Sequence, residues 1–484
     1  MLDTVICDRA RIARDARFDG RFFTGVRTTR IYCRPICPVK PAKSAHVCFF
    51  PSAAAAERAG FRPCLRCRPE AAPGTPAWHG SATTASRGLA LINAGFLDDH
   101  SVAELAVILG IGTRHLTRLF MKYLGASPRD LGHTRRVQIA KKLLDETSLP
   151  ITEIAMVSGF SSIRRFNAVF KETYGRSPSS FRRHGSDRRG DTHIVALELS
   201  YRPPFHWPLL TTLLAHEATP GVETICDGAY QRTITVGSAA GYICVRPVPN
   251  RHALLLSLHL PEYAHLKSII ERVRLLFDLG ANPTPILHHL EQHPQIASLL
   301  RDGEGLRLPG TWNGFEVAVR VLVARDLGAS PTPTIMGKLA ATYGQSLPAS
   351  GNCRLTTLFP TPATLMQVSL TDLGLSPRAA HQITRLACAV AHEHLRFDPT
   401  MTFRDLVNGL IEVAELDSPS AHWVAMRTLG EPDASPFGAP SVPEVSPCSD
   451  TALQKTWRPW RSYIAVLLAL QSVDGTGVAV QYKT

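Results

Sequence analysis

Tyr32-Cys33-Arg34-Pro35-Ile36-Cys37 and Gly60-Phe61-Arg62-Pro63-Cys64-Leu65-Arg66-Cys67 hold two tight cysteine pairs, spaced C-x3-C and C-x2-C. Two close thiol pairs joined by a longer loop form the arrangement that closes a tetrahedral zinc site. A zinc-bound thiolate is either structural glue or a nucleophile. A plain zinc ribbon and a redox C-x2-C are the readings against which a reactive quartet has to be weighed.

Outward from the quartet, the chain runs to 484 residues, enough for about three to four domains. Lys and Arg number 53 against 40 Asp and Glu, a formal charge of +13. That excess favours a polyanionic partner, nucleic acid or a membrane surface. Met1-Leu2-Asp3-Thr4 lacks the basic-then-apolar layout of a signal peptide, and the longest apolar run, Tyr463 to Leu470, falls short of the roughly 18 residues a span needs. A cytoplasmic protein that uses no membrane is expected. Eleven cysteines in a chain this long do not make a disulfide scaffold. Cys7, Cys48, Cys226, Cys244, Cys353, Cys388 and Cys448 read as buried small hydrophobes.

Pro69 to Thr84 is rich in Pro, Ala, Gly and Ser, and Arg182 to Thr192 is charged; both read as linkers. Between them lies an internal repeat. Glu104-Leu105-Ala106-x-x-Leu109-Gly110-Ile111 recurs as Glu153-Ile154-Ala155-x-x-Ser158-Gly159-Phe160, and Gly125-x-Ser127-Pro128 recurs as Gly175-x-Ser177-Pro178. Each copy reads as helix, glycine-bearing turn, second helix: a helix-turn-helix. The second helix of the first copy offers Thr113, Arg114, His115, Thr117 and Arg118; that of the second copy offers Ser161, Ser162, Arg164, Arg165 and Asn167. These side chains reach base edges and phosphates in a major groove. After the second linker the pattern alternates, as in His193-Ile194-Val195-Ala196-Leu197-Glu198-Leu199-Ser200, and from about Pro285 helical periodicity returns.

The tandem unit resembles the AraC-type DNA-binding domain, and the quartet resembles the zinc domain of Ada-type adaptive-response regulators. The matching flanks are Asp15-x-x-Phe18-Asp19-Gly20, Val26-Arg27-Thr28-Thr29 and the two cysteine segments themselves. The resemblance implies one Zn²⁺ held by Cys33, Cys37, Cys64 and Cys67, with Cys33 accepting a methyl group from a methylated DNA phosphate. Arg27, Arg30, Arg34 and Lys40 lie near that acceptor in sequence and are candidates to hold the DNA backbone. Methyl transfer would lower the negative charge of the site and tighten promoter binding. Double-stranded DNA, both promoter and alkylated, and RNA polymerase are the expected partners of such a nucleoid-associated activator.

From about His193 onward the chain resembles an AlkA-type 3-methyladenine DNA glycosylase. The segments that carry this include Tyr201-Arg202-Pro203-Pro204-Phe205-x-Trp207, Arg274-Leu275-x-Phe277-Asp278-Leu279, Leu306-Arg307-Leu308-Pro309-Gly310-Thr311-Trp312 and Trp457-Arg458-Pro459-Trp460-Arg461. The resemblance implies base flipping into an aromatic cleft, a helix-hairpin-helix that offers backbone N–H groups to a phosphate, and a buried catalytic aspartate. The hairpin glycines of the pattern fall on Glu415 and Asp417, the aspartate on Ala439, and two pocket aromatics on Pro419 and Ala469. Asp433 and Asp450 are the nearest replacement acids, and Trp423 is left as an aromatic wall of a base pocket. The Pro-Cys-His-Arg motif of O6-alkylguanine repair is absent: Pro447-Cys448-Ser449-Asp450 stands instead.

The expected architecture is a multidomain α+β chain. Residues 1–74 form a small four-cysteine zinc domain, 84–184 an all-α tandem helix-turn-helix domain, 193–284 a β-rich α+β subdomain, and 285–475 a helical helix-hairpin-helix domain. Its function is expected to be an alkylation-damage response: a suicidal methylphosphotriester methyltransferase and activator, fused to a glycosylase domain with impaired chemistry. A fully active bifunctional repair enzyme and a non-enzymatic zinc-containing regulator are the alternatives.

Overall fold

The computed structural model describes residues 3–73, 83–182, 194–237, 239–263, 265–297, 300, 304–347, 354–442 and 451–473. They form two compact units. One comprises 1–203, 247–274 and 279–282; the other comprises 204–246, 275–278 and 283–484.

The first unit opens with helix α1 (Thr4–Ile12), capped by the Asp3 carboxylate, and strands β1 (Phe23–Val26), β2 (Ile31–Cys33) and β3 (Val47–Phe50). Helix α2 (Ala53–Arg58) and the short β4 (Arg62–Pro63) follow. The sheet order is β3-β1-β2-β4, with β2 and β4 parallel and Tyr32 opposite Pro63. That register sets the end of β2 beside the start of the second cysteine pair. Tyr32, fully buried, packs edge-on against Phe23 at 5.7 Å and anchors the little core with Phe61, Ala53 and Ala56. Residues 69–73, expected as linker, are instead docked: Pro69–Ala71 makes a 3₁₀ turn whose Glu70 is buried against Arg68 and Lys141. A buried carboxylate flanked by two cations holds a Pro- and Ala-rich stretch that its composition alone leaves free.

A run of helices comes next: α3 (Thr83–Asn93), α4 (Phe96–Asp99), α5 (Val102–Ile108), α6 (Thr113–Leu124), α7 (Pro128–Glu146), α8 (Ile151–Val157), α9 (Ile163–Tyr174) and α10 (Pro178–Phe181). The repeat becomes two helix-turn-helix units, α5–α6 and α8–α9, joined through α7. Gly110 and Gly159 sit at φ +70° and +85°, the left-handed region each turn demands. Leu105, Leu116 and Phe120 pack the first unit; Phe166, Phe170 and Tyr174 form an aromatic ladder through the second. Strand β5 (Ile194–Ser200) then enters the same compact unit.

From β5 the chain passes into the second unit with α11 (Trp207–His216), β6 (Glu223–Cys226), β7 (Ala229–Val236) and β8 (Ala239–Pro247). The last three form an antiparallel meander, with Tyr230 opposite both Ile225 and Val245. It returns with β9 (Ala253–His259) and α12 (Leu266–Leu276). β5 pairs antiparallel to β9, with Val195, Leu197 and Leu199 opposite Leu258, Leu256 and Leu254, all buried. The alternation read from the sequence is that buried face.

The rest of the second unit is helical: α13 (Pro283–Leu290), α14 (Pro294–Ala297), α15 (Gly314–Leu327), α16 (Thr332–Tyr343), α17 (Pro362–Leu365), α18 (Pro377–Ala391), α19 (Phe403–Ala414), α20 (Ser418–Leu429), α21 (Thr451–Thr456) and α22 (Arg461–Val473). α15, buried along most of its length, is the hub against which α16, α18 and α20 pack. Among the described residues no helix is long and apolar enough to cross a membrane. Of the scattered cysteines, Cys7 is buried, Cys48, Cys226 and Cys244 are partly so, and Cys388 is exposed, against expectation. Cys353 and Cys448 lie outside the described residues.

Candidate metal centre and nucleic-acid interface

The sulfurs of Cys33, Cys37, Cys64 and Cys67 all lie within 4.8 Å of one another. Thiolates on one tetrahedral Zn²⁺ sit about 3.8 Å apart, from Zn–S bonds of about 2.3 Å, so the four fit that ion. Backbone hydrogen bonds hold the set: Cys64 N–H donates to the Tyr32 carbonyl at 3.0 Å, and Arg34 N–H donates to the Cys67 sulfur at 3.3 Å. Sulfur-to-sulfur hydrogen bonding lowers the Cys37 thiol to about 7 and pushes the Cys33 and Cys67 thiols up. Four thiolates at this spacing repel one another, and a divalent cation resolves the repulsion. The donor set makes this a tetrathiolate zinc site.

The four cysteines are not equivalent. Cys64 and Cys67 are buried, whereas Cys33 and Cys37 are partly exposed. Cys33 ends β2, directly after the turn that displays Arg27 and Arg30 to solvent.

Arg34 behaves differently from the expectation. It is buried, its guanidinium paired with Asp19 and donating to the Cys67 carbonyl at 3.1 Å. A cation spent on a buried carboxylate cannot also hold a DNA phosphate, so Arg34 braces the zinc loop instead.

The tandem helices present the expected polar faces. Arg114, His115 and Arg118 on α6, and Ser161, Arg164, Arg165 and Asn167 at and along α9, are all exposed. Arg118 lies 2.9 Å from His115 Nδ1, and the Ser162 hydroxyl caps α9 through Arg165 N–H at 3.2 Å. The zinc domain and these helices share a polar seam. Tyr32, next to Cys33, donates its hydroxyl to half-buried Glu57 at 2.8 Å, and Thr134 of α7 donates to the other oxygen. Ser52 donates to the Leu124 carbonyl at 2.7 Å, and Arg68 meets Glu146 at 2.9 Å.

In the second unit, α19 and α20 form the helix-hairpin-helix. Glu415 occupies the left-handed region (φ +51°), the conformation for which the pattern keeps glycine. Its carboxylate pairs with Arg385 at 2.6 Å, and Asp417 caps α20 while facing Arg325 at 3.3 Å. Asp433 is clamped by Arg458 and Arg461, each at 2.7 Å, which makes it the counter-ion of two guanidiniums rather than a free acid. Trp423 is 1 % exposed and packs under the Arg427 guanidinium, so it belongs to the core and not to the wall of an open pocket. Asp450 lies outside the described residues.

A cavity of about 60 Å³ in this unit is lined by Leu213, Arg320, Pro440, Ser441 and Ala469 among others, next to buried Ala439. Glu217 is the carboxylate on its wall. One Glu217 oxygen accepts from Arg427 at 2.7 Å; the other is buried with no partner among the described residues. Sequence reading missed Glu217. It is remote from every catalytic segment of the family pattern, and its only signal is three-dimensional.

Comparison with known proteins follows the same division. Residues 6–70 match the metal binding domain of Ada, residues 105–184 a helix-turn-helix domain, and residues 196–313 the AlkA N-terminal domain. The chain is 34% identical over 469 residues to a Mycobacterium tuberculosis protein named "Probable bifunctional transcriptional activator/DNA repair enzyme AlkA", covering 94% of each. It is 34% identical over 176 residues to the bifunctional transcriptional activator/DNA repair enzyme AdaA of Bacillus subtilis, covering 36% of this chain and 80% of the relative. Among solved structures, the 3-methyladenine DNA-glycosylase of Archaeoglobus fulgidus shares the fold, with a TM-score of 0.50 at 15% identity over 58% of this chain and 99% of that one.

Proposed function

Because the chain belongs to the family of bifunctional transcriptional activator/DNA repair enzymes, we propose that it is a DNA alkylation-damage sensor in which Cys33 takes a methyl group from a methylated DNA phosphate. The observation that carries this reading is the place of Cys33: a partly exposed sulfur in the four-cysteine cluster, just after the turn that displays Arg27 and Arg30.

Zinc, when bound, keeps the four sulfurs as thiolates at neutral pH. The Cys33 lone pair forms an S–C bond to the methyl carbon as the C–O bond breaks. The oxygen keeps that pair and leaves as a phosphodiester monoanion, and no proton moves. Arg27 and Arg30 hold the backbone phosphates in reach. The thioether is not hydrolysed, so each chain reacts once.

S-methylation removes one negative charge from the surface that meets DNA. Repulsion falls, and the helices α6 and α9 hold a promoter more tightly. Arg114, His115, Arg118, Ser161, Arg164, Arg165 and Asn167 supply the groove contacts, and RNA polymerase is the partner recruited there. Incubation with methylphosphotriester DNA followed by intact-mass measurement tests the assignment. Wild type gains one methyl and Cys33→Ala gains none; a methyl on the Ala variant overturns the acceptor, as unchanged promoter affinity after methylation overturns the switch.

A second activity, base excision, is favoured by one observation, the unpartnered oxygen of Glu217 in the cavity beside Ala439. In this reading Glu217, not Asp433, is the carboxylate that stabilises the developing sugar cation. Release of 3-methyladenine from methylated duplex DNA is then slow and lost in Glu217→Gln but kept in Asp433→Asn. Loss in Asp433→Asn alone would reverse the assignment.

A further inference from the structure

A second cavity, of about 120 Å³, lies inside the first unit, apart from both the cysteine cluster and the DNA-facing helices. Arg135 and Lys142 of α7, Arg274 of α12 and Ser200 at the end of β5 stand on its wall, with the carboxylates Glu70 and Glu271.

The acids are already committed. Glu70 is shared by Arg68 and Lys141, and Glu271 is paired with Arg135. Lys142 donates to the Glu198 carbonyl and has Glu146 at 3.5 Å, an acid that also serves Arg68. Arg274 makes no ion pair within 4 Å among the described residues, and its Nη2 is buried with no hydrogen-bond partner among them. The Nε of Arg135 is likewise buried and unpartnered. Burial lowers the pKa of both Arg274 and Lys142; Glu271 opposes this at Arg274 and Glu146 at Lys142, while the like-charged Arg135 for Arg274, and Arg68 and Arg274 for Lys142, add to the lowering. Desolvated guanidinium N–H groups left without acceptors are costly, and an oxyanion would supply charge-assisted bonds to several at once.

We propose that this cavity is an oxyanion site that takes a phosphate-class ligand between Arg274, Arg135 and Lys142. A tetrahedral anion spreads its oxygens in three dimensions toward cations on different sides of the wall, whereas a carboxylate carries its two oxygens in one plane. Because the wall draws on β5, α7 and α12, occupancy ties these elements together and stabilises the folded unit by mass action.

The test is thermal unfolding of the full-length, zinc-loaded protein against inorganic phosphate, with chloride holding ionic strength constant and acetate as the carboxylate control. Phosphate is expected to raise the midpoint saturably, by about 3 °C at occupancy, and acetate is not. Arg274→Gln should abolish the rise. Ser200→Glu, which places a carboxylate in the cavity, should raise the basal midpoint and remove the response, and it decides the matter if Arg274→Gln does not fold. Glycerol 1-phosphate run in parallel separates free phosphate from a phosphomonoester as the better ligand. An equal phosphate response in wild type and both variants overturns the site, as does no response in wild type. An equal rise with acetate overturns the phosphate class.

Discussion

Arg34 and Arg27 lie in the same small domain and carry the same charge, yet burial gives them opposite work. Breaking the buried Arg34–Asp19 pair leaves a carboxylate without its cation, which costs about 3–5 kcal/mol. Arg34→Ala should therefore lower the urea midpoint of the zinc-loaded protein while leaving the salt dependence of DNA binding unchanged. Arg27→Ala should do the reverse, holding stability and reducing the salt slope by about one. Glu57 makes the third residue-scale case. Burial raises its carboxyl above the ordinary 4.5, so the folded state binds its proton more tightly than the unfolded one. The stability this contributes is present below about 4.5 and is lost as pH rises through the raised value. Thermal midpoints of wild type minus Glu57→Gln across that window should fall with rising pH; a flat difference would refute the buried seam.

At the scale of elements, the two helix-turn-helix units and the helix-hairpin-helix are built alike, from short helices around a left-handed residue, but they carry opposite charge. α6 and α9 offer arginines; the α19–α20 hairpin offers Glu415 and Asp417. A phosphate approaching that hairpin meets two carboxylates. Replacing both by glycine should relieve the strain of the left-handed backbone at Glu415, about 1 kcal/mol, and strengthen non-specific DNA binding. Gel-shift titration on undamaged duplex checks this, and unchanged affinity would show that the acids already sit neutralised by Arg385 and Arg325.

For the whole molecule, the zinc domain is tied to α6 by Ser52–Leu124 and to α7 by Glu57–Thr134 and Arg68–Glu146. Stripping zinc with a strong chelator should therefore abolish methyl uptake and also lower the unfolding temperature of the helix-turn-helix region. Calorimetry that showed the helical transition unmoved would mean the seam carries no coupling.

The sequence by itself determined the zinc quartet, the tandem repeat and the alternation of β5. Each is written in local spacing: ligand pairs three or four residues apart, turn glycines one period apart, apolar residues at every second position. The hairpin position of Glu415 came from the resemblance to the glycosylase pattern. Only the tertiary structure decided which charges are free. Arg34 and Asp433 are committed to partners, Trp423 is core rather than pocket wall, and Pro69–Ala71 is docked rather than linking. Glu217 and the Arg135–Lys142–Arg274 cluster are assembled from segments far apart in the chain. A charge acts through its nearest partners and its distance from water, and neither quantity exists until the chain has folded.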